Sequence, residues 1–588
     1  MSGFLVRLLL CGVAIVLMAG GNAQASDRPN VVLIMTDDQG YGDFGANGNA
    51  AMQTPRLDRL AEQSASMTDF YVSPVCSPTR ASLMTGRYNY RTRVVDTWIG
   101  RSMMDPDEVT IAELLADAGY QTGIFGKWHL GDNYPMRPMD QGFAESLIHR
   151  GGGLAQPSEP RGNRRGYTDP ILLHNGRKVA THGYCSDVYT DHALQFIEQA
   201  HANDEPFFVY LPYNAPHGPF HDVPEALYQQ YREEAEALAE LIVPNLEGEQ
   251  LERQVDRLAR IGAMITNVDA NVGRVVDQLE KMGVAEDTLV IYLNDNGPNS
   301  RRFVGPFRGM KSEVYEGGIR SPFWLRWPRR LSPEMSSQIP AAHIDVMPTI
   351  LAACGVTVPA DLQLDGRNLL PLLEGEAVDW EDRPVAIQSH RGNVPQRYHH
   401  FMLRQGRWKL VNNSGFGREQ LPGEPTFELY DVVADPGETR DLAEQEPQIT
   451  RRLKDAYDTW FDDVSSTRPD NFAPPRIVIG DVADNPSVLT RQDWRGDGWG
   501  RNATGRWLVR ADESGVYDVV VLFDAGDAAE RVTLKIGEER FSREARPGVD
   551  MVRFQRVAIP QGELSIEVLL ETGGTERGPH QVILHRRP

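Results

Sequence analysis

Four stretches of the chain share one pattern: a short apolar run that stops abruptly at polar, chemically capable residues. "NVVLIMTDDQG" runs from Val31 to Met35 and ends at Asp37 and Asp38. "YQTGIFGKWHLG" carries Thr122 to Phe125 and then Lys127 and His129. "PFFVYLPYNAPHGP" carries Phe207 to Leu211 and then Asn214 and His217. "TLVIYLNDNGP" carries Leu289 to Leu293 and then Asp295 and Asn296. Unbroken apolar runs suit strands buried on both faces, as in parallel sheets. In open parallel α/β sheets, ligands bind at the carboxyl ends of the strands, where these polar residues fall.

Helical patterns lie between the runs. Thr54-Pro55 opens "RLDRLAEQSA" with a cap residue and a proline in the first turn. "TIAELLADAG" runs from Thr110 to a terminating Gly119. Asp187 to Ala200, and a longer stretch from about Gly248 to Met282, carry apolar residues at helical spacing. Strands alternating with helices predict an α/β domain with a large, mostly parallel sheet flanked by helices, over residues 26–382. From 383 to 465 the texture predicts a small antiparallel sheet and a closing helix, followed by a Pro/Asn-containing linker at 466–475. Short alternating runs over 476–588 predict a β-sandwich-like accessory module. Trp494, Trp499 and Trp507 fall in it, and they are expected in its core rather than on a sugar-stacking face.

The N-terminus adds a leader. Arg7 is the one charge before an apolar run from Leu8 to Ala19, and Ala23-Gln24-Ala25 fits a small-residue cleavage site. This is a secretory signal peptide cleaved after Ala25, and it predicts an exported, periplasmic or extracellular protein that does not span the membrane. The net charge of −22 argues against nucleic-acid and membrane-surface binding, so an anionic substrate needs a local basic pocket. The mature chain keeps Cys76, Cys185 and Cys354. A Cys185–Cys354 bridge is the less favoured expectation, since buried free cysteines are common.

The candidate chemistry lies at the strand ends. Asp37, Asp38, Asp295 and Asn296 converge if their strands are neighbours. Three carboxylates together repel unless a cation intervenes, and all-oxygen donors select Ca²⁺, with Mg²⁺ the alternative. The competing reading is that these residues only make turns. Cys76 stands ahead of Ser77 and Pro78 in "VSPVCSPTRASLMTGR", where Ser77 is expected to cap a helix over Thr79 to Thr85 ended by Gly86. A helix N-terminus is an anion site, and Arg80 lies one turn along. Three uses of Cys76 remain open on these grounds: a thiolate nucleophile, a structural thiol, or the precursor of another nucleophile. Three residues separate Cys76 from Arg80, against the five of the tyrosine-phosphatase arrangement.

"CSPTRASLMTGR" resembles the sulfatase signature, and the match extends to other motifs in family order. "PNVVLIMTDDQGYGDFG" and "NDNGP" resemble the family's two metal segments. "GKWHLG" is similar to its Lys/His segment, and "FRGMKSEVYEGGIRSP" to its downstream lysine segment. One departure is Leu293-Asn294 before Asp295, where the family often has small hydroxyl residues. The resemblance implies an alkaline-phosphatase-like fold and a formylglycine-dependent enzyme of the secreted arylsulfatase type, a hydrolase of sulfuric esters acting on a sulfated small molecule or polysaccharide.

By that resemblance, a formylglycine-generating maturation enzyme converts Cys76 to formylglycine. The hydrated aldehyde offers one hydroxyl to attack sulfur and a second to expel sulfate. Asp37, Asp38, Asp295, Asn296 and the modified Cys76 would hold Ca²⁺. Arg80 would orient the hydrate and His129 contact it; Lys127 and Lys311 would bind sulfate oxygens; His217 would protonate the leaving oxygen. Asn214 is a weaker candidate beside them. Arg301 and Arg302 are further candidates for substrate contact. His149, Arg150, Arg161, Arg164 and Arg165 around Gly151-Gly152-Gly153 read as a solvated basic loop. The alternatives are a phosphonate monoester or phosphodiester hydrolase of the same superfamily, and a non-catalytic glycan-binding protein that keeps the fold.

Overall fold

The computed structural model of the 588-residue chain describes residues 28–160, 162–163, 166–243, 245–380 and 383–588. The leader and its cleavage site, and Arg161, Arg164 and Arg165, lie outside the described residues. A ten-stranded sheet organises the larger part of the chain. Its five central strands are Thr288–Asn294, Asn30–Thr36, Phe207–Pro212, Gln121–Lys127 and Glu145–His149, in that spatial order and mutually parallel. The four runs singled out in sequence are therefore immediate neighbours. Their register is level: Thr36 pairs with Asn294 and Met35 with Pro212, so the polar residues beyond the strands emerge at one edge.

The sheet is mixed, because antiparallel pairs flank the parallel centre on both sides. These flanking strands are two to four residues long and too short to show a pattern in sequence. Alternate residues of Asn30–Thr36 enter different cores. Val31, Leu33 and Met35 pack on one face, and Val32 and Ile34 on the other. Cys354 belongs to the first core and Cys185 to the second, so no bridge joins them and both thiols are free.

Helices cover both faces. Pro55–Glu62 and the long helix Gly248–Lys281 share the side of Val32. Ile111–Asp117 begins with a reciprocal capping box between Thr110 and Glu113 and covers the other side. Leu293-Asn294 has a packing role. Asn294 Oδ1 accepts from Thr36 Oγ1 at 2.9 Å and its Nδ2 donates to the Gln39 carbonyl at 2.8 Å, which ties the two acid-bearing strand ends together.

Four antiparallel strands between Val385 and Asp431 and the helix Pro447–Ser465 form a second layer with its own apolar core. Beyond it, two antiparallel-rich sheets between Ile477 and Arg586 face each other as a sandwich. Trp494 and Trp507 are fully buried in its core, while Trp499 is partly buried and meets Trp98 edge-to-face. The sandwich core also takes in Ile99, Met103 and Met136 from loops of the large domain. No helix among the described residues is long and apolar enough to cross a membrane.

Candidate active site

The helix that carries the opening motif is Cys76–Thr85, with Val75 in the N-cap position, one turn earlier than expected. The Ser77 hydroxyl donates to the His129 carbonyl at 3.0 Å instead of capping the helix. Thr79 Oγ1 donates to the Asp295 carbonyl at 2.7 Å, and the whole helix is buried. Gly86, at φ +65°, ends it in the left-handed conformation that glycine tolerates. The helix N-terminus therefore points into the cleft between the strand ends at Asp37, Lys127 and Asp295.

Carboxylate oxygens of Asp37, Asp38 and Asp295 and the Cys76 sulfur all lie within 4.8 Å of one another, and all four residues are buried. Cys76 Sγ is 3.6 Å from Asp37 Oδ1 and 3.5 Å from Lys311 Nζ. Lys127 pairs with Asp37 and Lys311 with Asp38. Arg80 Nη2 bonds Asp295 at 2.7 Å and its Nη1 donates to the Lys127 carbonyl at 2.8 Å. His217 Nε2 stands 3.8 Å from Asp38 Oδ2, and its Nδ1 donates to the Gly218 carbonyl at 2.7 Å. Asn296 Nδ2 donates to Asp38 Oδ1 at 2.9 Å, while its Oδ1 is buried without a partner. A buried acceptor beside three carboxylates suits a hard cation.

Burial alone would raise the carboxyls. At Asp37, the Lys127, His217, Arg80 and Lys311 charges outweigh burial and hold the acid well below its ordinary range. Asp38 is lowered against the same burial cost by Lys311 and His217. Asp295 goes the other way, to about 6, through burial and the adjoining Asp37. Burial, then Asp37, pushes the Cys76 thiol up to about 12, so it holds its proton at neutral pH. Burial, then Lys127 and Arg80, holds His129 well below the usual histidine range.

The ten residues put forward from sequence thus gather around one cleft, with two differences among the accessory candidates. Arg302 is buried and paired with Asp43, and its Nη2 reaches the Asp38 carbonyl at 3.3 Å; it braces the acid-bearing turn and is closed to substrate. Arg301 is exposed and pairs with Glu313. His149 and Arg150 are buried rather than solvated: His149 Nδ1 meets the Tyr189 hydroxyl at 2.9 Å, and Arg150 donates to the Val488 carbonyl at 3.1 Å. The glycine run beside them is a matter of space. A Cβ on Gly152 would lie 2.7 Å from His129 Cε1, and one on Gly153 would lie 3.0 Å from His217 Cε1. Asn214 Oδ1 accepts from Leu154 N at 3.2 Å and so supports the same loop. Asn299, whose Nδ2 donates to Asp38 Oδ2 at 3.3 Å, was missed in sequence; its signal was only a further polar residue after "NDNGP".

The fold and the site together define an α/β protein whose parallel strand ends hold a buried, metal-competent acidic cluster enclosed by cationic side chains. Residues 29–356 match the sulfatase family, and residues 310–459 match the C-terminal part of N-sulphoglucosamine sulphohydrolase. The chain is 32% identical to mouse N-acetylgalactosamine-6-sulfatase over 66% of its own length and 73% of that protein. It is 30% identical to human arylsulfatase A over 74% of its length and 88% of that protein. Among solved structures it is similar to Ps i-CgsB, at 27% identity and TM-score 0.62, over 74% of this chain and 92% of that one; a complex of that protein with k-i-k-neocarrahexaose matches equally at 27% identity. The chain belongs to the sulfatase family, whose members are sulfuric ester hydrolases.

Proposed function

We propose that this enzyme hydrolyses a sulfate ester on a carbohydrate, using formylglycine made from Cys76 and a divalent cation. The carrying observation is the buried cluster of Asp37, Asp38, Cys76 and Asp295 enclosed by Lys127, Lys311 and Arg80. The charge balance supports this reading. Three carboxylates and three cationic side chains leave the cleft neutral, and a bound divalent cation leaves it positive enough to attract a sulfate ester. The carbohydrate part rests on the named substrates of the relatives and on the complexed neighbour.

Asp37, Asp38, Asp295 and the unpartnered Asn296 Oδ1 would hold the cation, Ca²⁺ or Mg²⁺ by its all-oxygen donors, and its chemistry there is to polarise the ester and offset its charge. Formylglycine at position 76 supplies a hydrated aldehyde as nucleophile, a role closed to a thiol that stays protonated. Lys127 and Lys311, now paired with Asp37 and Asp38, would turn to sulfate oxygens. Arg80, locked on Asp295 and the Lys127 carbonyl, holds position 76 against the strand ends. His217 keeps Nδ1–H on the Gly218 carbonyl, so it would act as the imidazolium, giving the second proton, on Nε2, to the leaving oxygen and returning to the Nδ1–H tautomer. Export and maturation by a formylglycine-generating enzyme complete the reading.

The test is the mass of the peptide containing residue 76, taken from active enzyme made in a host with that maturation activity. Conversion predicts a lighter, sulfur-free residue that vanishes in Cys76→Ala. Active enzyme carrying an intact cysteine contradicts the proposal.

A further inference from the structure

Gln492 follows the strand Ser487–Thr490 of the C-terminal sandwich, beyond both regions matched to known families. It is buried, and it grips one loop of the large domain at three points. Its Nε2 donates to the Thr97 carbonyl at 2.9 Å and to Ser102 Oγ at 2.9 Å, and its own carbonyl accepts from Gly100 N at 2.8 Å. Arg495 adds a bond to the Ile99 carbonyl at 3.1 Å, and Ile99 is packed into the sandwich core.

The same Thr97 carbonyl meets His129 Nε2 at 2.7 Å. A carbonyl oxygen carries lone pairs and no proton, so each neighbour must donate to it. His129 therefore holds its proton on Nε2, and Nδ1 is left as the acceptor. Nδ1 is buried with no partner, the arrangement of a group kept ready for a hydroxyl donor. Gln492 Nε2 also lies 3.2 Å from His129 Nε2. Both of its hydrogens are already committed to Thr97 and Ser102, so this contact limits the tilt of the ring.

We propose that Gln492 is a positioning residue for catalysis: it fixes the Thr97 carbonyl, and through it the tautomer and orientation of His129. The accessory sandwich then completes the active site from 363 residues away in sequence. The proposal rests on the reading of His129 as the residue that contacts the nucleophile.

A double-mutant cycle on the full-length, matured enzyme tests it. Loss of an orienting partner of this kind predicts a fall in kcat of roughly 10–100-fold for Gln492→Ala, with KM little changed. In a His129→Ala background the same substitution should change kcat by less than about twofold, because the residue it acts through is gone. Arg495→Ala, which loosens the same loop without touching Thr97, should leave kcat near wild type. Equal losses from Gln492→Ala in both backgrounds, or none in either, overturn the proposal. Selective ¹⁵N-histidine labelling gives a readout free of turnover: His129 should be Nε2-protonated in the wild type and a tautomer mixture in Gln492→Ala, and an unchanged spectrum overturns it. If Gln492→Ala does not fold, the isosteric Gln492→Glu replaces it; its carboxylate draws the Nε2 proton away from Thr97 and should raise the pH at which His129 titrates, and no rise overturns the proposal. A wild type inactive on sulfate esters strikes the substrate reading alone, since the cycle and the spectra are then read on whichever ester it turns over.

Discussion

The Cys76 thiol is 3% exposed and lies 3.6 Å from Asp37, surroundings that keep it protonated. The local sequence left its use open among thiolate, structural thiol and precursor, and the proposed precursor role rests on the sulfatase family match together with a thiol that holds its proton. His217 carries the clearest residue-scale prediction. If its Nε2 protonates the leaving oxygen, His217→Ala should cost roughly 10²–10⁴ in kcat on an alkyl sulfate, whose leaving group needs a proton. The loss should be far smaller on an aryl sulfate with an acidic phenol. Equal losses on both substrates, measured by steady-state kinetics, contradict the role.

Among the elements, the strand ends were legible because buried parallel strands write continuous apolar runs, and their polar termini then stand out. The antiparallel flanks were not legible, since strands of two to four residues carry no period. Burial of Arg302 was hidden for another reason: its partner Asp43 lies 259 residues away in sequence and beside it in space. The segment presenting Lys311 shows a similar long-range debt. Lys311 N bonds the Pro298 carbonyl at 2.9 Å and Ser312 N the Pro74 carbonyl at 2.8 Å, joining the loops of Asn296 and Cys76. Just after it, Glu316 is buried against Lys409 at 2.8 Å and Arg320 at 2.9 Å, and Lys409 also meets Glu438 at 2.9 Å. Removing one partner leaves buried charge uncompensated. Lys409→Met should therefore destabilise the protein by about 3–5 kcal/mol, read from urea unfolding. A variant as stable as wild type would show that the network adds nothing.

At the scale of the whole molecule, the sequence conveyed the succession of an α/β part, a small antiparallel layer and a β-sandwich. It did not convey which residue of the sandwich meets the cleft, because the Gln492–His129 contact has no local signature. Acid sensitivity also belongs to this scale. Burial pushes His343, His390 and His400 each down from 6.5 to about 3. Above pH 6.5 they are neutral whether folded or unfolded. As pH falls below that, the unfolded chain takes up protons that the folded chain refuses, so stability is lost between about 6.5 and 3. Each histidine contributes up to about 1.4 kcal/mol per pH unit in that window. Urea midpoints should drop steadily from pH 7 to pH 5, and a flat midpoint would contradict the buried neutral state. The central claim concerns the ester. The most direct measurement is kcat/KM of the matured enzyme on an aryl sulfate, a phosphate diester and a phosphonate monoester sharing one leaving group. The account predicts that the sulfate is turned over best, and finding it the poorest of the three would contradict it.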